Sequence, residues 1–167
     1  MNSLRRKIVL TPFLAALAGC GFQLRGTANV PFETVYVPAG GGIALDMKRN
    51  IQAGTRAKVV DDPKLAEAVL QFTEETRDKE ILSLTGTGRV REYKLHYHVG
   101  FRVHDNKGGD YVPQTRLTLS RDITFNDSEV LAKEAEEQLL FRDMQNDMVQ
   151  QVMRRLAAAK RPKPAAQ

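Results

Sequence analysis

The sequence predicts an α+β protein built as a two-layer sandwich, with two helices on one face of a mixed sheet. Three observations lead to this fold class. Residues 89–104 alternate between apolar and polar side chains, which is typical of a long strand with one buried face. Apolar side chains recur every four positions from Leu140 to Leu156, the spacing of an amphipathic helix. No segment repeats with a period of about 20–50 residues, so a solenoid or propeller is not expected.

The predicted domain starts with a strand, a helix and a second strand. Residues 34–37 read Thr-Val-Tyr-Val, a β-branched and aromatic run that favours a strand and is followed by proline. Three apolar residues spaced four apart predict an amphipathic helix over residues 43–53 that ends at Gly54. Residues 57–60 predict another short strand. The helix positions are Ile43, Met47 and Ile51.

The middle of the chain predicts a run of strands. Residues 68–84 alternate at both ends but are wholly polar in between, which indicates either one long strand with a bulge or two strands. A Thr-Gly-Thr-Gly turn follows, and residues 89–104 form the clearest strand of the sequence. Residues 105–110 predict a hairpin loop and residues 112–125 the strand that pairs with it.

A long helix is predicted to close the domain. Asn126-Asp127-Ser128-Glu129 supplies a helix cap with an acidic first turn, and no glycine or proline interrupts residues 129–159. Basic residues near the end of this helix complement its dipole. Residues 160–167, rich in Pro, Ala and Lys, are expected to be a disordered tail.

The N-terminus has the features of a bacterial lipoprotein export signal. A basic cluster, Arg5-Arg6-Lys7, precedes a mostly apolar stretch of about ten residues, too short for a membrane-spanning helix. Leu17-Ala18-Gly19-Cys20 looks like a lipobox, whose cysteine is acylated after cleavage on its N-terminal side. The expected organisation is therefore a cleaved signal peptide (1–19), a lipidated linker (20–28), a single domain (29–159) and the tail.

Composition excludes several classes of function. The formal net charge of +5 falls to +2 without residues 1–19, since three of the 25 basic residues and none of the 20 acidic ones lie there. This charge and the absence of tryptophan give no reason to expect nucleic-acid binding. Cys20 is the only cysteine, so an intramolecular disulfide and a CxxC site are excluded. No cofactor is expected.

The search for catalytic or metal-binding residues gives little. His96, His98 and His104 share one face of a predicted strand, but no carboxylate stands at a fitting position to complete a metal site. Acidic residues at the start of the long helix fit a solvated helix face better than a catalytic pair. The sequence has no GxSxG or HExxH motif, so an enzyme is not expected.

Basic residues suggest an anion-binding surface. Arg89, Arg91 and Lys94 follow the predicted turn, and Lys133 lies in the first turns of the long helix. If the sheet end and the helix start meet, these side chains form a cationic patch suited to phosphate groups on a lipid or glycan. The alternative is that they are ordinary solubilising charges.

Several segments, in order, resemble the LptE family of lipopolysaccharide-assembly lipoproteins. The likeness starts at Gly-Cys-Gly-Phe-Gln-Leu-Arg-Gly and continues through the first strand, a Glu-Tyr pair, a Val-Leu-Ala-Lys segment and the long helix. These segments are residues 19–26, Val30-Pro31, Val35, Glu92-Tyr93, Val130–Lys133 and Arg154–Leu156.

The resemblance implies a fold and a function. The fold is two helices packed on one face of a four-stranded mixed β-sheet. Family members bind lipopolysaccharide and plug the LptD β-barrel of the outer membrane, which they help to assemble, so this chain is expected to be lipid-anchored there with its domain on the periplasmic side in the barrel lumen. The family's lipopolysaccharide-binding lysine matches Lys133. A family arginine falls on Gly86 here, and Arg89 or Arg91 is the expected substitute.

Two other readings of the sequence remain. A generic lipid-anchored binding or scaffold module for another envelope partner would share the same signal and fold. A lipid-anchored hydrolase would need a clustered triad or metal site, which the placement of the three histidines on one strand does not favour.

Overall fold

A five-stranded mixed sheet forms the frame of the protein in a computed structural model that describes residues 28–162. Its strands are β1 (Thr34–Tyr36), β2 (Lys58–Val60), β3 (Ala68–Leu84), β4 (Val90–His104) and β5 (Asp110–Thr124). They lie in the order β2-β1-β3-β4-β5. β1 runs parallel to both of its neighbours, whereas β4 is antiparallel to β3 and β5.

Two helices, α1 (Ile43–Gly54) and α2 (Val130–Ala158), form the second layer. Their apolar side chains share one core with the inward-facing side chains of β4, among them Leu95, Tyr97 and Val99. This arrangement confirms the predicted two-layer α+β class. Short 3₁₀ turns at Pro63–Leu65 and Asp127–Glu129 precede β3 and α2.

The predicted number of four strands is wrong, because the sheet has five. The additional strand is β2, whose three residues pair in parallel with Thr34–Tyr36 of β1. Helix α1 connects the two strands and thus makes a β-α-β crossover, which brings the second strand back parallel to the first. The strand at residues 57–60 is predicted by the sequence. Its position at the edge of the same sheet is not, because that position depends on the crossover.

Strand β3 is continuous, which settles the choice between one strand and two. It pairs with β4 from Val69 opposite His104 to Leu84 opposite Val90, with irregularities at each end. One bulge places Thr73 as the extra residue between Phe72 and Glu74. Backbone pairing thus keeps the polar middle of β3 extended although most of its side chains are exposed.

Alternating side chains of β4 and one stripe of α2 form the centre of the core. The odd positions of β4 from Leu95 to Val103 are fully buried. In α2 the predicted four-residue repeat is buried from Met144 to Leu156, whereas Leu140 is only half-buried. The first three turns of α2 contribute no buried side chain, so they extend beyond the core.

The two helices run parallel, which gives the described chain two distinct ends. Gln145 Nε2 of α2 donates to Asp46 Oδ2 of α1 at 2.5 Å, and Gln150 Nε2 donates to Asn50 Oδ1 at 3.2 Å. We call the β3–β4 turn (85–89), the end of β5 and the first turns of α2 the hairpin end. We call Ala28, residues 55–58 and residues 154–162 the basal end.

Part of the sequence-based prediction lies outside the described residues. This is true of the signal peptide (1–19), of Cys20 and most of the lipidated linker, and of residues 163–167 of the tail. The predicted cap at Asn126 does form, but on the 3₁₀ turn: its side chain accepts a hydrogen bond from the Ser128 N–H at 3.2 Å. Helix α2 begins one turn later, at Val130.

Candidate functional site

Arg89 lies in a tight turn at the hairpin end. Gly88, at φ 81°, supports the turn, and its N–H donates to the Thr85 carbonyl at 2.9 Å. The Arg89 N–H donates to the Thr85 hydroxyl at 3.1 Å, which fixes the backbone but leaves 74% of the Arg89 side chain exposed. The guanidinium therefore faces solvent from a rigid turn.

Arg91 and Lys133 lie at the same end, where hydrogen bonds join each of them to the end of β5 or the residue after it. The Phe125 N–H donates to the Arg91 carbonyl at 2.8 Å, so the start of β4 is held next to the end of β5. Lys133 Nζ donates to the hydroxyl of Thr124, the last residue of β5, at 3.0 Å. The structure thus gathers Arg89, Arg91 and Lys133 around one rim of the sheet.

Lys94 lies elsewhere, on the sheet face opposite the helices. In register it stands between Glu80 of β3 and Asp122 of β5. It shares this face with His96 and His98, because side chains two apart along a strand point the same way. Of the four predicted cationic residues, Lys94 is therefore the one that the fold separates from Lys133.

Carboxylates accompany the cations at the hairpin end. Arg89 Nη1 lies 3.5 Å from Asp127 Oδ2, and Lys133 Nζ lies 2.9 Å from Glu136 Oε2. Only 16% of the Lys133 side chain is exposed, so its ammonium is held in place by Thr124 and Glu136. An incoming anion would meet an exposed arginine and a largely buried lysine, each with a carboxylate partner that the anion must displace.

Exposed apolar side chains cluster at this same end. Eight large hydrophobic side chains are exposed in the described chain. Six of them lie either in the part of β3 nearest to the β3–β4 turn or in the first three turns of α2. The most exposed is Leu131, at 82%. The six are Ile81, Leu82, Leu84, Val130, Leu131 and Leu139.

Sequence reasoning missed this cluster, although a signal was present. Leu131 lies nine residues before Leu140, which is half a turn away around a helix of 3.6 residues per turn. It could therefore not belong to the buried stripe. Since an apolar residue on the wet face of a helix buries nothing in the monomer, clusters of them mark binding surfaces.

A shallow groove of about 470 Å³ connects β3 to the start of α2. Its lining includes Lys79, Leu131 and Glu134. Lys79 Nζ pairs with Glu137 Oε2 at 2.7 Å and lies 5.2 Å from the centre of the Tyr93 ring. The groove is open because α1 is much shorter than α2 and begins farther down the sheet, at Ile43 beside Glu75.

The histidines belong to a polar network on the open face of the sheet. The rings of His96 and His98 stack at 5.7 Å between centroids. His96 Nε2 lies 3.3 Å from Glu80 Oε1, and His98 Nε2 lies 3.2 Å from Asp78 Oδ1. His104 instead contacts the hairpin loop through the Asn106 N–H. Within residues 28–162 no group of three metal-ligating side chains is placed to hold an ion.

No helix in the described part of the chain is long and apolar enough to cross a membrane. Cys20, the predicted lipidation residue, lies outside that part. Within the described chain, the candidate site consists of Arg89, Arg91 and Lys133 together with the exposed apolar cluster.

Comparison with known proteins identifies the family. A family model described as LptE, lipopolysaccharide-assembly, matches residues 29–156. An LPS-assembly lipoprotein LptE from Yersinia enterocolitica is 31% identical over 159 residues, which cover 90% of this chain and 75% of that protein. Its counterpart from Photorhabdus laumondii is 26% identical over 144 residues, or 83% of this chain and 78% of that one.

Solved structures show the same fold. The solution NMR structure of an uncharacterized lipoprotein B from Nitrosomonas europaea matches with a TM-score of 0.71 and 44% identity, covering 83% of this chain and 91% of that one. The crystal structure of rare lipoprotein B from Shewanella oneidensis matches with a TM-score of 0.64 and 22% identity, covering 78% of this chain and 94% of that one. With the family model spanning nearly the whole described domain, the chain belongs to the LptE family of lipopolysaccharide-assembly lipoproteins.

Proposed function

We propose that this protein is anchored by lipid on Cys20, binds lipopolysaccharide at its hairpin end and plugs an LptD-type β-barrel in the outer membrane. Family membership supports a role in lipopolysaccharide assembly. The binding and plugging roles are proposed from the surface of this chain. It acts by binding and positioning, with no chemical step.

The observation that carries the binding role is the pairing of cations with apolar side chains at the hairpin end. Lipopolysaccharide is an amphiphile that carries phosphate groups beside acyl chains. Arg89, Arg91 and Lys133 supply donors for phosphate, with arginine giving a planar fork and lysine a point charge. Leu131 and its apolar neighbours offer about 25 cal/mol of stabilisation for each Å² of hydrocarbon surface that they cover.

The open face of the sheet is suited to a polar enclosure such as a barrel lumen. Ion pairs cross it from strand to strand, as between Arg116 Nη2 and Glu74 Oε1 at 2.9 Å. Such pairs make the face polar. Lys94, His96 and His98 on this face would meet the polar inner wall of a barrel.

Two experiments test the two parts of the proposal. Gentle solubilisation and purification through a C-terminal tag should recover a stoichiometric large β-barrel protein. Recovery of the anchored protein alone, or with a different partner, would contradict the plug role and favour a generic scaffold lipoprotein.

For the binding role, Lys133→Glu should weaken lipopolysaccharide binding by about 10- to 100-fold, the range expected when a charge-assisted hydrogen bond is lost. Arg142→Glu is the matched control, because Arg142 is an exposed residue of the same helix outside the site. Both variants should keep the circular dichroism spectrum of the parent. Equal affinity of the two variants would refute the role of Lys133.

A further inference from the structure

A long edge of β3 leads up to the hairpin end without a neighbouring strand. β3 has 17 residues, but β1 pairs with only two of them, Ala68 and Val69. Beyond Val69, no described residue forms a backbone hydrogen bond to the side of β3 that faces away from β4. Alternate N–H and C=O groups along this side are therefore available to another strand.

Helix α1 leaves the upper part of this edge uncovered. The Ile43 N–H donates to the Glu75 carboxylate at 3.4 Å, and from there α1 runs to the basal end. Residues 76–84 of β3 lie beyond the start of α1, and we call them the free edge. The groove beside Lys79 and the start of α2 gives side chains of an added strand space on the helix side.

The free edge is better suited to strand addition than the outer edge of β5. β5 contains Pro113, which has no N–H to donate, and its pairing with β4 is irregular around that residue. None of the exposed large hydrophobic side chains of the described chain lies on β5, whereas Ile81, Leu82 and Leu84 lie on the free edge. An exposed edge with apolar side chains is prone to pair with another strand.

Lys79 does not protect the free edge. A lysine that points outward from an edge strand opposes pairing with another strand. The Lys79 ammonium instead lies 2.7 Å from Glu137 Oε2 of α2 and 5.2 Å from the centre of the Tyr93 ring of β4. The side chain therefore extends over the sheet, and the backbone of the edge stays accessible.

The two faces of β3 differ in charge along the free edge. Asp78 and Glu80 lie on the open face, with side chains that are 56% and 63% exposed. Their ion-pair partners are histidines of β4, and neither forms an ion pair with a described lysine or arginine. Arg77 and Lys79 lie on the helix side, in register with inward-facing residues of β4. An added strand would thus meet carboxylates on one face and the groove with Leu131 on the other.

This charge pattern disfavours a second copy of the chain as the occupant. In an antiparallel pair of two β3 edges related by a twofold axis, the residue on the axis lies opposite its own copy. Registers centred on residues 77–80 pair the whole free edge, and all four of these residues are charged. Like charges directly opposite each other destabilise a sheet, so a different chain is favoured.

We propose that residues 76–84 of β3 take an extended segment of a partner protein as an added strand. Main-chain hydrogen bonds supply the affinity, and alternate side chains supply the specificity. The segment that fits carries lysine or arginine at every second position, facing Asp78 and Glu80. Between them it carries apolar side chains that face the groove beside Ile81.

This inference goes beyond the proposed lipopolysaccharide and plug roles and is compatible with both. Lys133 contacts Thr124 at the end of β5, which is two strands away from β3, so an added strand leaves this cation accessible. Inside a barrel lumen, the added strand would come from a loop or a terminal segment of the partner, because a closed barrel wall has no free edge to offer.

The test uses the purified full-length protein in a neutral detergent and a synthetic peptide as the probe. The peptide matches the free edge in length and alternates arginine with valine. One control peptide has the same composition in scrambled order. A second is N-methylated at two adjacent central residues, so that each of its edges loses a hydrogen-bond donor while its charge is unchanged.

Amide hydrogen exchange measured by NMR reports where the peptide binds. In the free protein, alternate amides of residues 76–84 should exchange fast, because only every second one donates to β4. The alternating peptide should slow this fast set and leave residues 115–124 of β5 unchanged. The N-methylated and scrambled peptides should bind at least about tenfold more weakly in fluorescence anisotropy titrations.

A pair of matched variants tests the charge preference. Glu80 and Asp122 stand on either side of Lys94 in register, one on β3 and the other on β5. Glu80→Gln should weaken binding of the alternating peptide by up to about fivefold, the range of a cross-strand charge pair. Asp122→Asn removes an equal charge from the other edge of the sheet and should leave the affinity unchanged.

Several results would overturn strand addition at β3. Equal affinity for the N-methylated and unmodified peptides would reduce the contact to charge attraction. Slowed exchange confined to residues 115–124 would move the contact to β5. Slow exchange of every amide of residues 76–84 without peptide would mean that this chain or a second copy already covers the edge. Absence of binding by the alternating peptide would refute the proposal, and none of these results affects the lipopolysaccharide role.

Discussion

The hydroxyl of Tyr97 in β4 donates a hydrogen bond of 2.8 Å to Oε1 of Glu75 in β3. The same carboxylate oxygen accepts from the Ile43 N–H at 3.4 Å, at the first residue of α1. Gly42, at φ 59°, brings this turn so close that a Cβ there would lie 2.8 Å from Glu75 Oε1. One carboxylate therefore joins the centre of the sheet to the start of a helix.

This contact predicts how stability changes at alkaline pH. Burial, and then the hydrogen bond and charge of Glu75, raise the pKa of Tyr97 above its ordinary value of 10.0. Because the folded pKa exceeds the unfolded one, the stabilisation is fully present below pH 10.0 and is lost as pH rises above it. Tyr97→Phe should therefore lose less free energy of unfolding than the parent between pH 10.0 and about 11.5, measured by urea denaturation. Tyr36→Phe serves as control, and superimposable profiles for Tyr97→Phe and the parent would contradict the prediction.

The β3 bulge makes Gly100 intolerant of a side chain. A Cβ at Gly100 would lie 2.7 Å from Thr73 Oγ1 and 3.1 Å from Glu74 Cβ. Gly100→Ala should thus lower the free energy of unfolding by about 1–3 kcal/mol through overpacking. Gly86→Ala is the control, since a Cβ there meets nothing within 4 Å, and it should stay within about 0.5 kcal/mol of the parent. Equal stability of the two variants would mean that the bulge adjusts freely.

The ion pair between Lys133 and Glu136 should compete with bound anions. Glu136→Gln removes the competing charge but keeps a polar side chain, so lipopolysaccharide affinity should rise, by up to about fivefold for a pair of this kind. Glu134→Gln removes an equal charge two residues before Glu136 and should change lipopolysaccharide affinity less. Isothermal titration at low salt compares the two, and a fall in affinity for Glu136→Gln would show that the carboxylate positions the lysine.

Exposure and burial along α2 predict opposite consequences for two apolar substitutions. Leu131→Ser should leave the free energy of unfolding within about 0.5 kcal/mol, because the side chain is 82% exposed, while weakening lipopolysaccharide binding. Met148→Ala should cost about 2–5 kcal/mol, because Met148 is fully buried. Thermal melts and binding measurements on both proteins check this contrast. Unchanged binding by Leu131→Ser would remove the apolar cluster from the site.

The lipobox prediction has its own test. Cys20→Ser should block acylation and cleavage, because the serine hydroxyl cannot replace the thiol as acyl acceptor. The variant should then accumulate as an unprocessed precursor in the inner membrane, detected by fractionation and immunoblotting. Normal processing and outer-membrane recovery of the variant would refute it.

Local patterns determined most of the secondary structure. Strict alternation predicted β4, and the four-residue repeat predicted α2, because each pattern reports directly which side chains face the core. Candidate residues Arg89, Arg91 and Lys133 were likewise named from the turn, the helix start and the family resemblance. Such features depend on neighbours within a few residues, which a sequence displays.

What only the tertiary structure decided depends on contacts between distant segments. The position of β2 at the sheet edge follows from the path of α1, and the continuity of β3 follows from its pairing with β4. The apolar cluster at the hairpin end is exposed because α2 begins well beyond the start of α1, so the first turns of α2 have no second helix beside them. Lys94 is separated from Lys133 because both helices cover the sheet face opposite to the one on which Lys94 lies. No local pattern contains that information, since it depends on how the layers pack.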